Sequence, residues 1–508
     1  MGYVTGQDRH QITFMPKSLD EYVDSDNPCR VIDAFVDRLD LEAFGFKYAK
    51  TKNTGRHPFN PADMLKLYMY GYQNKIRSSR RLEKEAVRNI EVMWLLNGLT
   101  PDDKTICNFR TDNRKALKEV FRAFNKLCIE LGLFGKKTVS IDGSKIKANN
   151  SRRNYYSEKS ANEQLARLEK QITEYLNELE RNDKSEDGEV RLNSDVVKIA
   201  IDKLHSKKDE IEKVLAKIEE NDGKGVCTVD EDATLMKQSG GKGFDVSHNV
   251  QTVVDEEFGM VVDFKVTSES NDLSELSDMV ERSQQMLETK ELNVLADTGY
   301  SSGKEISNSE SLGATCYVPK AEPSHQPKEE NYSRKNFKYD AKTDCYTCPA
   351  GHKMSHVRTR ERDGYKVYAN RSACKDCAEK SKCTKSKTLR EIERSPYQEN
   401  VDLAAQNVKD NPALYRRRQE LSEHPFGVVK RIWGYDQFLC RGNEKVTGEM
   451  SLSFLAFNLR RAISVLGVEK LLEGIKKWAE LLGNTCIYSL NCVFIVRRTL
   501  KTHFVAAG

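Results

Sequence analysis

The chain has 508 residues, 38% apolar and 31% charged, which is enough for two to four domains with sizeable cores. Its 82 basic against 77 acidic residues leave a net charge of +5, too small to demand a polyanionic partner, so local clusters must carry any such argument. The opening MGYVTGQDRHQITF lacks a secretion signal and no run approaches 18 apolar residues, so the chain reads as cytoplasmic with no membrane partner, and its odd 13 cysteines exclude a disulfide scaffold.

Residues 1–135 read as a helical N-terminal domain. SLDEYVDSDNPCRVIDAFVDRLD and NPADMLKLYMYGYQNKIRSSRRLEKEA place apolar residues at helical spacing, with Asn60 as an N-cap candidate and Pro61 at the first helical position. TPDDKTICNFRTDNRKALKEVFRAFNKL reads as a short helix, a turn and a longer helix, a pattern shared by small DNA-binding modules and ordinary bundles. From residue 136 the texture changes. Strands are expected at 138–142, 247–255, 259–266 and 292–296, with a helix over 274–290 before the last. A helical hairpin, 157–221, interrupts this second part of the chain (136–320); its dense Glu and Lys form a solvated face. Residues 321–400 are a polar, cysteine-rich insertion, and 401–482 return to helix. The tail, 483–508, has an apolar core of about ten residues, too short to span a bilayer, and reads as a strand or packing segment.

Two apolar strands end on an aspartate. VSIDGSK carries Asp142 before a glycine, and NVLADTGY carries Asp297 before a turn. Each Asp alone fits a strand-end cap, since Asp-Gly is a common turn dipeptide. Together, at the ends of neighbouring strands, they would face one crevice and suit a hard divalent cation. YRRRQELSEHPFGVVKRIWGY adds Glu423 two helical turns before Lys430, and Pro425 places Glu423 at a helix start. The basic and aromatic side chains around it, including Tyr415, Arg418, Lys430 and Arg431, suit a phosphate backbone and unstacked bases; the alternative is a basic helix surface.

Five cysteines crowd into CYTCPAGH and CKDCAEKSKC. Two CxxC knuckles with about 25 residues between them read as a zinc ribbon with Cys345, Cys348, Cys374 and Cys377 as ligands, and Cys383 or His352 as substitutes. Reduced, unmetallated thiols are the alternative.

In their order along the chain, HPFNPADMLKLYMYGYQNKIRSSRRLE, SIDGSKIKANNS, LADTGY, CPAGHKM and EHPFGVVKR…FLCRGNEKVTGEMSLSFLAFNLRRAI resemble the DDE transposases of bacterial insertion sequences, in the group whose third motif is Tyr-Arg-Glu-Lys. The resemblance implies an RNase H-like mixed α/β catalytic core and a triad of Asp142, Asp297 and Glu423 holding two Mg²⁺, with Mn²⁺ as a substitute. Tyr415, Arg418 and Lys430 match the rest of the motif, although Arg418 and Glu423 are separated by four residues where the motif has three. Glu420 and Glu449 are the alternative third carboxylates. The implied activity is cleavage and strand transfer of double-stranded DNA, at element ends and target, by a homodimer or larger assembly on the nucleoid. A catalytically inactive DNA-binding derivative and a nuclease without strand transfer are the alternatives.

Overall fold

Helix starts in the N-terminal part are set by local chemistry. Asn27 and Asn60 accept from the backbone N–H of Cys29 and Ala62, both at 2.9 Å, and a proline follows each at the first helical position. The computed structural model describes residues 17–50, 57–184, 194–238, 243–321 and 330–502. Its first six helices are α1 (Pro28–Val36), α2 (Pro61–Gln73), α3 (Ser79–Arg88), α4 (Ile90–Leu95), α5 (Asp103–Asp112) and α6 (Arg114–Glu130).

A mixed sheet follows. β1 (Thr138–Lys147) leads to the small ladder of β2 (Tyr155–Tyr156) and β3 (Val226–Cys227), which brackets the expected hairpin, α7 (Glu158–Lys184) and α8 (Ser194–Glu220). The hairpin packs on its own cluster, including Leu168, Ile211 and Ile218. Next come β4 (Thr234–Lys237), β5 (Phe244–Asp255), β6 (Val261–Thr267), α9 (Leu276–Leu287), β7 (Leu292–Leu295), α10 (Gly303–Ser311) and β8 (Ala314–Tyr317). β1 is central, antiparallel to β5 and parallel to β7; β8 extends the sheet beside β7, and β4 and β6 line the other edge of β5. The strand expected to stop at Asp142 runs on to Lys147, because β5 continues to pair with it as far as Ser247.

The cysteine-rich region folds as a five-stranded antiparallel sheet of β9 (Lys338–Asp340), β10 (Cys345–Thr347), β11 (Lys353–Thr359), β12 (Lys366–Ala369) and β13 (Ile392–Arg394), with α11 (Arg371–Lys375) and α12 (Lys380–Cys383) between the last two. The chain then returns through α13 (Gln398–Asp410), α14 (Pro412–Phe426), a π-helical turn at Gly427–Ile432 and α15 (Asn443–Thr502), which is broken at Gly467 by a positive φ of 78°. The tail expected as a strand or packing segment is helical through Thr502, a continuation of α15 that its β-branched residues do not prevent.

One apolar core unites the ends of the chain. Phe35 meets Phe124 edge-on at 5.2 Å and stacks on Trp478 at 6.3 Å, while Phe264 of β6 packs on Phe121 and Phe454. The 443–478 stretch of α15 is long and apolar enough by composition to cross a membrane, but 61% of its most apolar window is buried in this core. It also covers the edge of β6. Asn458 accepts from Val261 N and donates to Val261 O, and Asn125 donates to Val261 O and Val262 O, so the backbone groups of that edge are satisfied by buried amides.

Arg77 and Glu449 close the sheet-facing side of this core. The Glu449 carboxylate is 1% exposed, pairs with Arg77 at 3.0 Å and accepts from Leu439 N and Cys440 N. Replacing Glu449 with Ala leaves a half-buried guanidinium without its carboxylate and two backbone amides without an acceptor, so we expect a loss of about 3 kcal/mol in urea denaturation.

Candidate functional site

Along β1, residues 140, 142 and 144 share a face by strand alternation, opposite the fully buried Val139 and Ile141. The parallel pairing of β1 with β7 ends at Ser140 opposite Leu295. Two residues further along each strand stand Asp142 and Asp297, so the register brings both carboxylates to the same level of the sheet. Asp297 caps the short turn Thr298–Tyr300, its Oδ1 accepting from Gly299 N at 2.8 Å. Asp142 Oδ1 accepts from Gly143 N at 3.0 Å. Burial and the Asp297 charge push the Asp142 carboxyl up to about 6, against the Arg418 guanidinium, which favours its ionised form.

Gly143 is not the turn that the Asp-Gly pair suggests. It pairs with Gln251 in mid-strand, and a Cβ there would overlap the Gln251 amide and lie 2.7 Å from Asp272 Oδ1. Glycine is needed for close approach, not for bending.

α14 lies across this face of β1. Tyr415 Oη donates to Ala296 O at 3.2 Å, beside Asp297, and Ser140 Oγ donates to Arg418 O at 3.4 Å. Beyond α14, Lys430 Nζ donates to Ser144 Oγ at 2.9 Å and to Lys145 O at 2.7 Å. Glu423 belongs to the stretch between these anchors; its side chain is exposed and accepts from Gln419 Nε2 at 3.0 Å. Pro425 lies near the end of α14, not in its first turn, and the wider π-helical turn begins two residues later, where the missing N–H and the ring disturb regular α-helical bonding. Glu423 therefore sits late in its helix, contrary to the helix-start expectation.

The other candidates divide clearly. Arg431 is exposed on the π-helical turn. Glu449 is committed to Arg77 and two backbone amides, and Glu420 is exposed and acts on His424. The charges acting most on Asp142 are Asp297, Arg418 and Asp272. Asp272 is the carboxylate that sequence reasoning misses, because NDLSEL reads as an ordinary helix-leading loop with no apolar strand before it.

In the small sheet, Cys348, Cys374, Cys377 and Cys383 line one cavity of about 30 Å³ with His352. Burial and the other three thiols push the Cys383 thiol up, opposed by Arg390. Cys345 lies outside that lining, in β10 opposite Asp340 and Ser355. Among the described residues, no three His, Cys, Asp or Glu side chains stand at metal-holding geometry.

Two segments match known families. Residues 17–112, from the start of the described chain through α5, match a transposase domain (DUF772), and residues 347–463, which include all of α14, match a transposase DDE domain. Comparisons with curated proteins and with solved structures gave no match.

The raised Asp142 carboxyl has a consequence for stability. Between the ordinary value of 3.8 and about 6 the folded chain keeps a proton that the unfolded chain gives up. Stability in EDTA is therefore expected to fall as pH rises through that interval, and Asp142→Asn to flatten the slope, measured as urea midpoints from pH 4 to 7.

Proposed function

We propose that this chain, which belongs to the DDE transposases of insertion elements, cuts and rejoins DNA at the crevice where β1 and β7 present their aspartates. The observation that carries the reading is the register that sets Asp142 level with Asp297, with burial and mutual repulsion raising the Asp142 carboxyl to about 6. The strand order β6-β5-β1-β7-β8, with β5 antiparallel to its neighbours and β7 and β8 parallel to β1, supports an RNase H-like core.

The donor set is all oxygen, so the residues fit Mg²⁺, or Mn²⁺ in its place, in preference to a thiophilic ion. Asp142 and Asp297 would hold it from the sheet and Glu423 from α14, in a site for two ions. A cation bound there supplies an activated water or an oriented 3′-OH for in-line attack and stabilises the leaving oxygen. The chain's own residues do the positioning. Tyr415 and Ser140 seat α14, and Lys430 fastens the π-helical turn to β1. Arg418, beside Asp142, offers a charge-assisted donor to the flanking phosphate, and exposed Arg431 extends that surface. None of these contacts selects the nucleophile, so water gives cleavage and a DNA 3′-OH gives strand transfer at one site.

The N-terminal helices supply a DNA-facing surface, with Arg80 85% exposed on α3 and Lys104 on α5; element ends and target DNA are the partners, bound by a homodimer or larger assembly. In the small sheet the reading is structural zinc held by Cys348, Cys374, Cys377 and Cys383, the thiols that share one cavity.

The chemistry is tested with a labelled DNA end and Mg²⁺. Asp142→Asn, Asp297→Asn and Glu423→Gln should each bind the end in a gel-shift assay yet neither cut nor join it. Full activity in any one variant removes that residue from the site. For the thiols, the expectation is one zinc per chain by metal analysis of the purified protein, lost in Cys374→Ser/Cys383→Ser; zinc retained by that variant would refute the assignment.

A further inference from the structure

Residues 371–387 run from β12 towards β13 and hold α11 and α12. Six of these seventeen residues are basic and two are acidic, in a chain whose whole net charge is +5. The stretch has two sides. Cys374, Cys377 and Cys383 line the cavity beneath the small sheet, whereas Lys375, Lys385 and Lys387 are exposed. Lys380 Nζ donates to Lys387 O at 3.0 Å, which closes the turn that follows α12. Of the two acids, Glu379 is committed to Lys382 at 2.9 Å and to the Tyr332 hydroxyl at 3.1 Å, and Asp376 is exposed. Among the described residues, Lys375, Lys385 and Lys387 form no ion pair. Three ammonium groups are thus displayed to solvent by a segment whose other side turns to the thiols.

The small sheet is rooted at the aspartate end of the core sheet. β7 and β8 are parallel, with Leu295 level with Tyr317, so the chain leaves β8 at the same end as Asp297. It also returns there. Three residues after β13, Tyr397 Cβ comes 3.0 Å from where a Cβ on Gly303 would stand, and Gly303 opens α10, six residues after Asp297. α13 is then tied to α10 and β8, as Asn400 Nδ2 donates to Glu310 Oε2 at 2.6 Å and Asn407 Nδ2 to Cys316 O at 3.0 Å. A duplex carries one negative charge about every 1.7 Å along its axis, so DNA seated in the crevice presents phosphates well beyond it.

We propose that the 371–387 edge of the small sheet is a second contact for that DNA, with Lys375, Lys385 and Lys387 as point charges on the phosphate backbone. Such contacts position a duplex and carry no sequence information. This rests on the reading of the crevice as a DNA site.

The test is the anisotropy of a labelled duplex titrated with the full chain between about 50 and 200 mM salt. Lys375→Gln/Lys385→Gln/Lys387→Gln should weaken binding about tenfold or more and lower the slope of log affinity against log salt by about 2 to 3. The loss should be the same on an element end and on an unrelated duplex, and Lys-to-Arg changes at the three positions should keep the wild-type slope. Thermal midpoints should not move, since these lysines form no ion pair. Lys203→Gln/Lys207→Gln/Lys213→Gln removes the same charge from exposed positions of α8 and should leave the slope unchanged. A wild-type slope in the first variant, an equal fall in the α8 variant, or a loss confined to the element end overturns the proposal and leaves the crevice standing. A wild-type chain that binds no duplex at all overturns both.

Discussion

Two carboxylates held at the same level of adjacent parallel strands repel each other, and much of the surrounding structure resists that repulsion. Their positions are fixed by backbone register and not by side-chain choice, since β1 and β7 pair up to Ser140 and Leu295 and each aspartate follows two residues later. The strands cannot slide apart to relieve the charge without turning buried Val139, Ile141 and Val294 out of the core. Burial first, and the Asp297 charge second, raise the Asp142 carboxyl, and the Arg418 guanidinium offsets part of that rise.

The helical layer is fastened to β1 and to the end of β7 at three points. Tyr415 reaches the end of β7, the Arg418 carbonyl meets Ser140, and Lys430 meets Ser144 and Lys145. α14 and the π-helical turn are thereby bound on both sides of Asp142, while Glu423 on the span between them points outward to Gln419. A carboxylate on an anchored but outward-facing span keeps more freedom than the half-buried side chains that hold that span to the sheet.

Much of this was legible in the sequence. Strand alternation located β5, β6 and β7 to within a few residues and the start of β1, and helical spacing, with Asn60 as a cap for α2, located helices of the N-terminal part and the inserted hairpin. Pairing Asp142 with Asp297 needed only two similar strand ends. What could not be read depended on distant partners. Gly143 looked like a turn because the amide it must accommodate, on Gln251, lies more than 100 residues away in β5. Asp272 gave no signal because its hydrogen-bond partners, Asn249 and Gln251, lie on another element, β5. Cys383 lacked a CxxC partner, although it stands with three other thiols, whereas Cys345 had one and lies outside their cavity. The helix-start expectation at Glu423 failed because it allowed Pro425 only in a first turn, and a π-helical turn offers another solution.

The junction of Phe35 with Trp478, and of β6 with Asn458, has a kinetic meaning. Apolar partners more than 400 residues apart meet in one core, so loop closure comes late and is entropically demanding. During synthesis, the inserted hairpin and the small antiparallel sheet can form on local contacts, but the edge of β6 stays open until α15 has left the ribosome. A chain without α15 therefore exposes unpaired strand backbone at the outer edge of β6 and tends to associate through that edge. Docking of α15 is thus the step that closes the edge of β6, through the two bonds that Asn458 makes to Val261.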